Sequence, residues 1–512
     1  MKRYPRVALA RLGLLSCLTM LSTTAAAAPP ANVIAGDAED ERPLVTGLGP
    51  TMLRVSGLLA GRLEASDAFA VDADGVELDA GTHANLLARV GLAWSSYEAL
   101  APWYLGADLE LDAFSGLVTD GPELAGDGLP NSGGHDAAVI RNANVTLSYE
   151  GVVALKAGVM TSHWGLGLVA NDGAHRWRPG SATFIDPRGG DRVLRGQLVV
   201  QTPGELKIGA ALGFDEVLDD DVLLSGDAAR QVVLATFVDA PGIRGGFYGV
   251  ARFQESASGA DLTAIVFDFF ADVEAEVGDA LTLKVGGELA AVFGSTTLAG
   301  SPDFPEHDLL QVGGVARISL AAQNAGGVLD VVYASGDQDL GDGEQNAFKA
   351  DPNFTLGVVL FPYVVAAQTG RATYTAQAPE LTGYPPDDLE RFPTRGSVSN
   401  TVAFFPRFWF RPLAGLEIYG GPLIALAAVP PTDPLNTKLA GGDPRNARNA
   451  APSSYLGTEL DLGARYRMIA WGSELTLGLE GGVLFPGAGL EGAGFGSGSS
   501  IGAVRAMLSW TL

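Results

Sequence analysis

Apolar residues in this chain come in short segments of period two from end to end, and never in a run long enough to cross a bilayer as a helix. A spanning helix needs about 20 consecutive apolar residues. The richest stretches beyond the N-terminus, 356–367 and 418–429, are shorter and are broken by Pro362, Gly420, Gly421 and Pro422. Leu105, Ala107, Leu109 and Leu111 alternate with Gly106, Asp108, Glu110 and Asp112. The same pattern recurs in Ala143–Tyr149, in Leu281–Leu289 and in Glu459–Met468. Successive side chains of a strand point to opposite faces, so each segment reads as a strand with one apolar and one polar face.

The connections alternate as well. Tight ones at Glu150-Gly151, Pro203-Gly204, Pro241-Gly242, Gly278-Asp279 and 324–327 are interleaved with long polar ones at 115–138, 164–193, 294–308, 337–353 and 429–454. Short turns on one side and long loops on the other are the layout of an outer-membrane barrel. The fold class is therefore all-β, a transmembrane antiparallel up-and-down β-barrel of about 18–20 strands over 51–512, with 29–50 as a periplasmic N-terminal segment. Even parity requires one more upward strand before the hairpin at Arg411-Pro412, and Val364 to Tyr374 is the candidate. Trp94, Trp103, Tyr104, Phe404, Phe405, Phe408, Trp409, Trp471 and Trp510 sit near strand ends and read as membrane girdles. A soluble β-sandwich or propeller would alternate too, but without the asymmetry of its loops.

Residues 1–28 have the layout of a secretory signal peptide: Lys2, Arg3, Arg6 and Arg11, an apolar run Leu12–Leu21, then small residues to Ala28. The single cysteine, Cys17, lies in this leader, so thiol chemistry is excluded from the mature chain. A formal net charge of −26 excludes nucleic acid as a partner bound through its phosphates. The partners a barrel implies are outer-membrane lipid and lipopolysaccharide, together with the assembly machinery that reads a terminal strand such as Ile501–Leu512. Oligomeric state is not encoded in any pattern of the chain.

The segment Trp164–Gly173 followed by Asp186–Val193 is too rich in Gly, Arg and Trp for a bland surface loop. Two further blocks go with it, Tyr333–Asp337 followed by Asp342-Gly343, Phe348 and Asp351–Phe354, and Gly457–Gly463. In them the chain resembles a family of largely uncharacterised outer-membrane barrels of myxobacterial type, and is more distantly similar to alginate-export and carbohydrate porins. The resemblance implies a barrel whose loops narrow a polar lumen, and implies no particular functional residue.

Functional candidates follow from charge. If 164–193 enters the lumen, Arg176, Arg178, Arg188 and Arg192 would face Asp172, Asp186 and Asp191 as a pore constriction, since rings of charge are how pores select; a self-packed outer loop is the other reading. Asp108, Glu110, Asp112, Arg317, Arg465 and Arg467 are placed on the lumen wall, lining a hydrated path or pairing across a plugged interior. Asp337, Asp339, Asp342 and Glu344 have the carboxylate density of a calcium loop but depart from EF-hand spacing; no other cofactor is indicated. The five histidines lack metal spacing and no Gly-x-Ser-x-Gly elbow occurs, so no enzyme signature is present. The expected function is a porin-like channel for small polar or saccharide solutes, with a non-conducting surface anchor or receptor as the alternative.

Overall fold

The computed structural model describes residues 44–512 except 74, 97–98, 120–134, 175–176, 185–188, 279, 301–302, 339–341, 377–390, 471 and 493–498. Eighteen long strands form the wall. The first six are β1 (Thr51–Ser66), β2 (Thr82–Ser95), β3 (Trp103–Leu117), β4 (His135–Tyr149), β5 (Val153–Met160) and β6 (Arg192–Gln201). There follow β7 (Lys207–Asp219), β8 (Ala228–Ala240), β9 (Ile243–Glu255), β10 (Asp261–Val277), β11 (Leu281–Thr296) and β12 (His307–Ala321). The circuit ends with β13 (Ala325–Ala334), β14 (Thr401–Leu413), β15 (Leu416–Ala427), β16 (Tyr455–Ala470), β17 (Ser473–Pro486) and β18 (Ile501–Thr511). Each pairs antiparallel with the next, and β18 closes on β1 from Leu58↔Thr511 to Ser66↔Ala503. Closure leaves no sheet edge in lipid, which a spanning sheet requires.

Alternation places the side chains as the sequence implies. In β6, Leu194, Leu198 and Val200 are exposed to the outside while Val193, Arg195, Gln197 and Val199 are buried inside. Exposed Phe267, Phe269, Leu289, Phe408, Leu462, Leu479 and Trp510 continue the apolar belt around the wall. The period that puts Phe404 and Phe408 outside turns Phe405 and Trp409 inward, where they are buried, and Tyr104 shares the inward face of β3 with Gly106 and Asp108, so these three leave the expected girdle; Trp471 lies outside the described residues.

The expected strand at Val364–Tyr374 is not one. Leu360–Val365 is a π-helical turn that runs into the α-helix α1, Ala366–Ala376, within the long connection between β13 and β14. Buried Val359, Leu360, Phe361 and Val364 pack with inward-facing Phe405, Leu423 and Leu484, so the segment folds as a helix in the lumen, and the strand number is even without it. Both described ends of the chain lie at the short-turn side. There Leu44–Leu48 hairpins onto the start of β1, and Leu512 bonds to Gly57.

Candidate pore and its lumen loops

Two long-side connections fold into the barrel, and the wall pins both with carboxylates. The 161–191 connection stacks Trp164 on Tyr248 with ring centroids 5.6 Å apart, and Phe184 on Phe405 at 6.1 Å. Its backbone turns at Gly165, where φ is +58° and a Cβ would lie 2.6 Å from Glu288 Oε2, so only glycine fits. Past that turn Leu166 and Leu168 donate their N–H groups to Glu288 on β11. Further on, Gly180 donates to both oxygens of Glu417 on β15, at 3.0 and 2.8 Å.

The 335–400 connection repeats the device on the other side. Gly357, at φ +72°, turns the chain so that Val358, Val359 and Leu360 donate to Glu459 of β16 at 2.5, 2.7 and 2.8 Å. Buried carboxylates satisfied by several N–H groups hold such turns firmly. Arg371 of α1 ties in two further loops, donating to Asp72 and Asp433 at 2.6 Å each. The lumen is narrowed by fixed structure.

What remains open is a set of cavities. An inner cavity of about 570 Å³ faces the short-turn side, with Arg178, Arg244, Lys284, Arg317 and Arg407 set against Asp239, Asp272 and Glu274. Trp164, Phe184, Phe237, Phe270, Phe354 and Phe405 supply flat apolar surface beside those charges. An outer cavity of about 400 Å³ faces the long-loop side and reverses the balance, with Asp112, Asp136, Asp191, Asp219, Asp220 and Asp221 against Arg62, Arg141, Arg192 and Arg395. A side chamber of about 380 Å³ adjoins it, sharing Asp191, Asp220, Asp221 and Pro352 and adding Asp351. Burial, first, and the neighbouring Asp221 push the Asp351 carboxyl up to about 8, against hydrogen bonds from Asn353 and Asn171 that pull it down.

The sequence candidates are dispersed over this arrangement. Arg178 lines the inner cavity; Arg192 stands at the outer rim, 3.1 Å from Asp219. Asp172 is buried between them, its carbonyl accepting from Arg141 at 2.6 Å and its carboxylate from the Ala174 N–H. Asp191 sits between the outer cavity and the side chamber. Arg178 and Arg192 thus belong to different compartments and do not meet in one ring; Arg176, Asp186 and Arg188 lie outside the described residues.

On the wall, Glu110 pairs with Arg141 at 2.7 Å, Asp112 with Arg89 at 2.5 Å, Arg317 with Asp330 at 2.7 Å, and Arg465 with Glu480 at 2.7 Å. Asp108 has Lys156, two strands away, as a basic neighbour, and Arg467 pairs with Glu474 at 2.8 Å near the short turns. Of the calcium candidates, Asp337 accepts from the Asn346 N–H and Asp342 from the Glu344 N–H, while Glu344 accepts from the Asn346 amide. Asp339 lies outside the described residues, among which no three metal-ligating side chains gather. Sequence reasoning passed over Arg244, Arg407 and Asn353. The first two needed strand register, and Asn353 was signalled only by its Asp-Pro-Asn turn.

No protein-family model matches the chain, and no curated protein resembles it. Solved structures do. The outer membrane protein OpdK of Pseudomonas aeruginosa superposes with a TM-score of 0.50 at 13% identity, over 90% of this chain and 98% of that one. OccK9 (OpdG) of the same organism gives 0.53 at 13%, and OccK2 (OpdF), solved with glucuronate, gives 0.50 at 11%, each with the same coverage. The likeness is one of fold: a closed 18-stranded barrel of the porin type.

Proposed function

We propose that the protein is a porin-like channel of a Gram-negative outer membrane, passing small polar or saccharide solutes, with a preference for those that carry a carboxylate. The observation that carries this reading is the pair of charged cavities that together run from the long-loop side to the short-turn side of a barrel belted in apolar residues. The inner cavity offers guanidinium and ammonium groups beside aromatic faces, which suits an anionic ring. OccK2 and OpdK, solved with glucuronate and with vanillate, bind solutes of that kind. The finer kinship with myxobacterial-type barrels and alginate-export porins is part of the proposal. It is supported by where the resembling blocks fall, since Trp164–Gly173 and Phe348–Phe354 contribute to the lumen loops.

Export by the leader, and lipopolysaccharide and assembly factors as partners, belong to the same reading. Transport by diffusion needs no catalytic group. Planar-bilayer recording of the purified protein tests it: stepwise conductance reduced by added glucuronate is the expected result. Silent insertion across the accessible voltage range would leave the anchor or receptor reading in its place.

A further inference from the structure

Alternation puts polar side chains on the inward face of a porin strand, because that face meets water. In the long-loop half of β7 and β9–β12 it does not. Val217, Val250, Val266, Val292 and Leu309 all point inward. On β10, inward Leu262, Ala264 and Val266 stand back to back with outward Ile265 and Phe267, so the strand is apolar on both faces there. Further toward the short turns, Asp268 and Glu288 restore the polar face. The lumen loops do not cover this patch completely, since Val266 and Val292 are only partly buried where they meet their packed neighbours. Between the patch and Phe348 of the 335–400 connection lies the side chamber of about 380 Å³. Apolar surface held open to water is unfavourable, and a concave apolar wall with a few polar groups is the form of a small-ligand site.

The charges of the chamber are unbalanced. Asp191, Asp220, Asp221 and Asp351 line it together with Arg252, Lys349 and Arg391. Each of those cations already has a carboxylate: Arg252 holds Asp220 and the Gln254 amide oxygen, Lys349 holds Asp221, and Arg391 holds Asp227 at 2.7 Å. Among the described residues no cation stands at ion-pair distance from Asp191 or Asp351. Asp351 is buried and accepts only from neutral donors, the N–H groups of Asn353 and Asn171 and the Asn353 amide. Burial, first, and then Asp351 and Asp220 push the Asp191 carboxyl well above its ordinary value, with Arg252 opposing. Two neighbouring carboxyls that disfavour each other's charge are stabilised together by a cation between them. Asp191 and Asp221 also line the outer cavity, so the acids stand where a solute would enter.

We propose that the side chamber is a binding site for a small organic cation, an ammonium on a compact hydrocarbon body, with Asp191 and Asp351 taking the charge and the inward valines of β7–β11 taking the body. This goes beyond the channel reading and does not depend on it: the carboxylate preference belongs to the basic inner cavity, and the chamber takes solutes of the opposite sign.

The test is calorimetric titration of the purified protein in detergent with phenethylammonium, against protein-free micelles as the blank. Saturable binding at one site is the expected result. Methylammonium, which lacks the body, and phenethyl alcohol, which lacks the charge, should each bind at least tenfold more weakly. Asp191→Asn should weaken phenethylammonium at least tenfold and Asp191→Glu much less, while Val266→Trp, which fills the bowl, should abolish binding. Heat-modifiable migration of each variant checks that the barrel has formed. Equal affinity for methylammonium would reduce the chamber to a diffuse acidic field and overturn the site, as would no saturable binding, or binding unchanged in both Asp191→Asn and Val266→Trp. Because no current is measured, these outcomes are independent of whether the barrel conducts.

Discussion

Replacing Glu459 with Ala should free the lumen helix while leaving the barrel closed. The Glu459 side chain is fully buried, and its two oxygens accept the N–H groups of Val358, Val359 and Leu360. Each buried donor left without an acceptor costs about 1–3 kcal/mol. Three would cost about 3–9 kcal/mol, and partial relaxation brings the working figure to about 4 kcal/mol, a roughly thousandfold rise in the opened fraction of the segment. Glu459→Gln should be milder. Oε1 serves Val358 and Val359 and Oε2 serves Leu360, so the amide strands one donor at about 1–3 kcal/mol, or roughly 5- to 150-fold. Hydrogen exchange of peptides covering 356–376 reads this directly, with β10–β11 peptides as the internal reference. Protection of 356–376 in Glu459→Ala equal to wild type would show that apolar packing alone holds the segment, and the carboxylate argument would fail.

Other outcomes follow from the same geometry. Arg244→Gln with Lys284→Gln removes the two partly exposed cations that share Asp272 in the inner cavity, leaves that carboxylate uncompensated and should shift reversal potentials toward cations, whereas Arg192→Gln at the outer rim, where solvent ions screen the charge, should leave them nearly unchanged. Raising pH through about 8 ionises Asp351 beside Asp191, Asp220 and Asp221, so cation preference should grow across that window and the step should vanish in Asp351→Asn. The same shift has a stability sign: the unfolded carboxyl ionises near its ordinary value of about 4, so Asp351 favours the folded state below that and its contribution is lost as pH rises toward 8, measurable as a falling melting temperature. A tag inserted at exposed Gly441-Gly442, on the long-loop side, should be labelled on intact cells, and protection there would invert the topology.

The sequence by itself determined the wall. Period two needs nothing beyond neighbouring residues, so Leu194 and Leu198 outside with Arg195 and Gln197 inside could be read directly, as could the side on which each loop falls. It determined the lumen charges in the same way, Glu288 and Glu459 among them. Only the tertiary structure decided what those charges do. Glu288 lies 122 residues from the Leu166 N–H it accepts, and Glu459 lies 101 from Val358; no local pattern records a partner at that distance. The apolar run 356–367 has no period that separates strand from helix, and it became helical because the closed wall left it a lumen to fill and a carboxylate to cap it. Arg178 and Arg192 are close in sequence yet stand in different compartments, because Arg178 lies beside Gly180, which Glu417 holds inside the barrel, while Arg192 opens β6 at the rim.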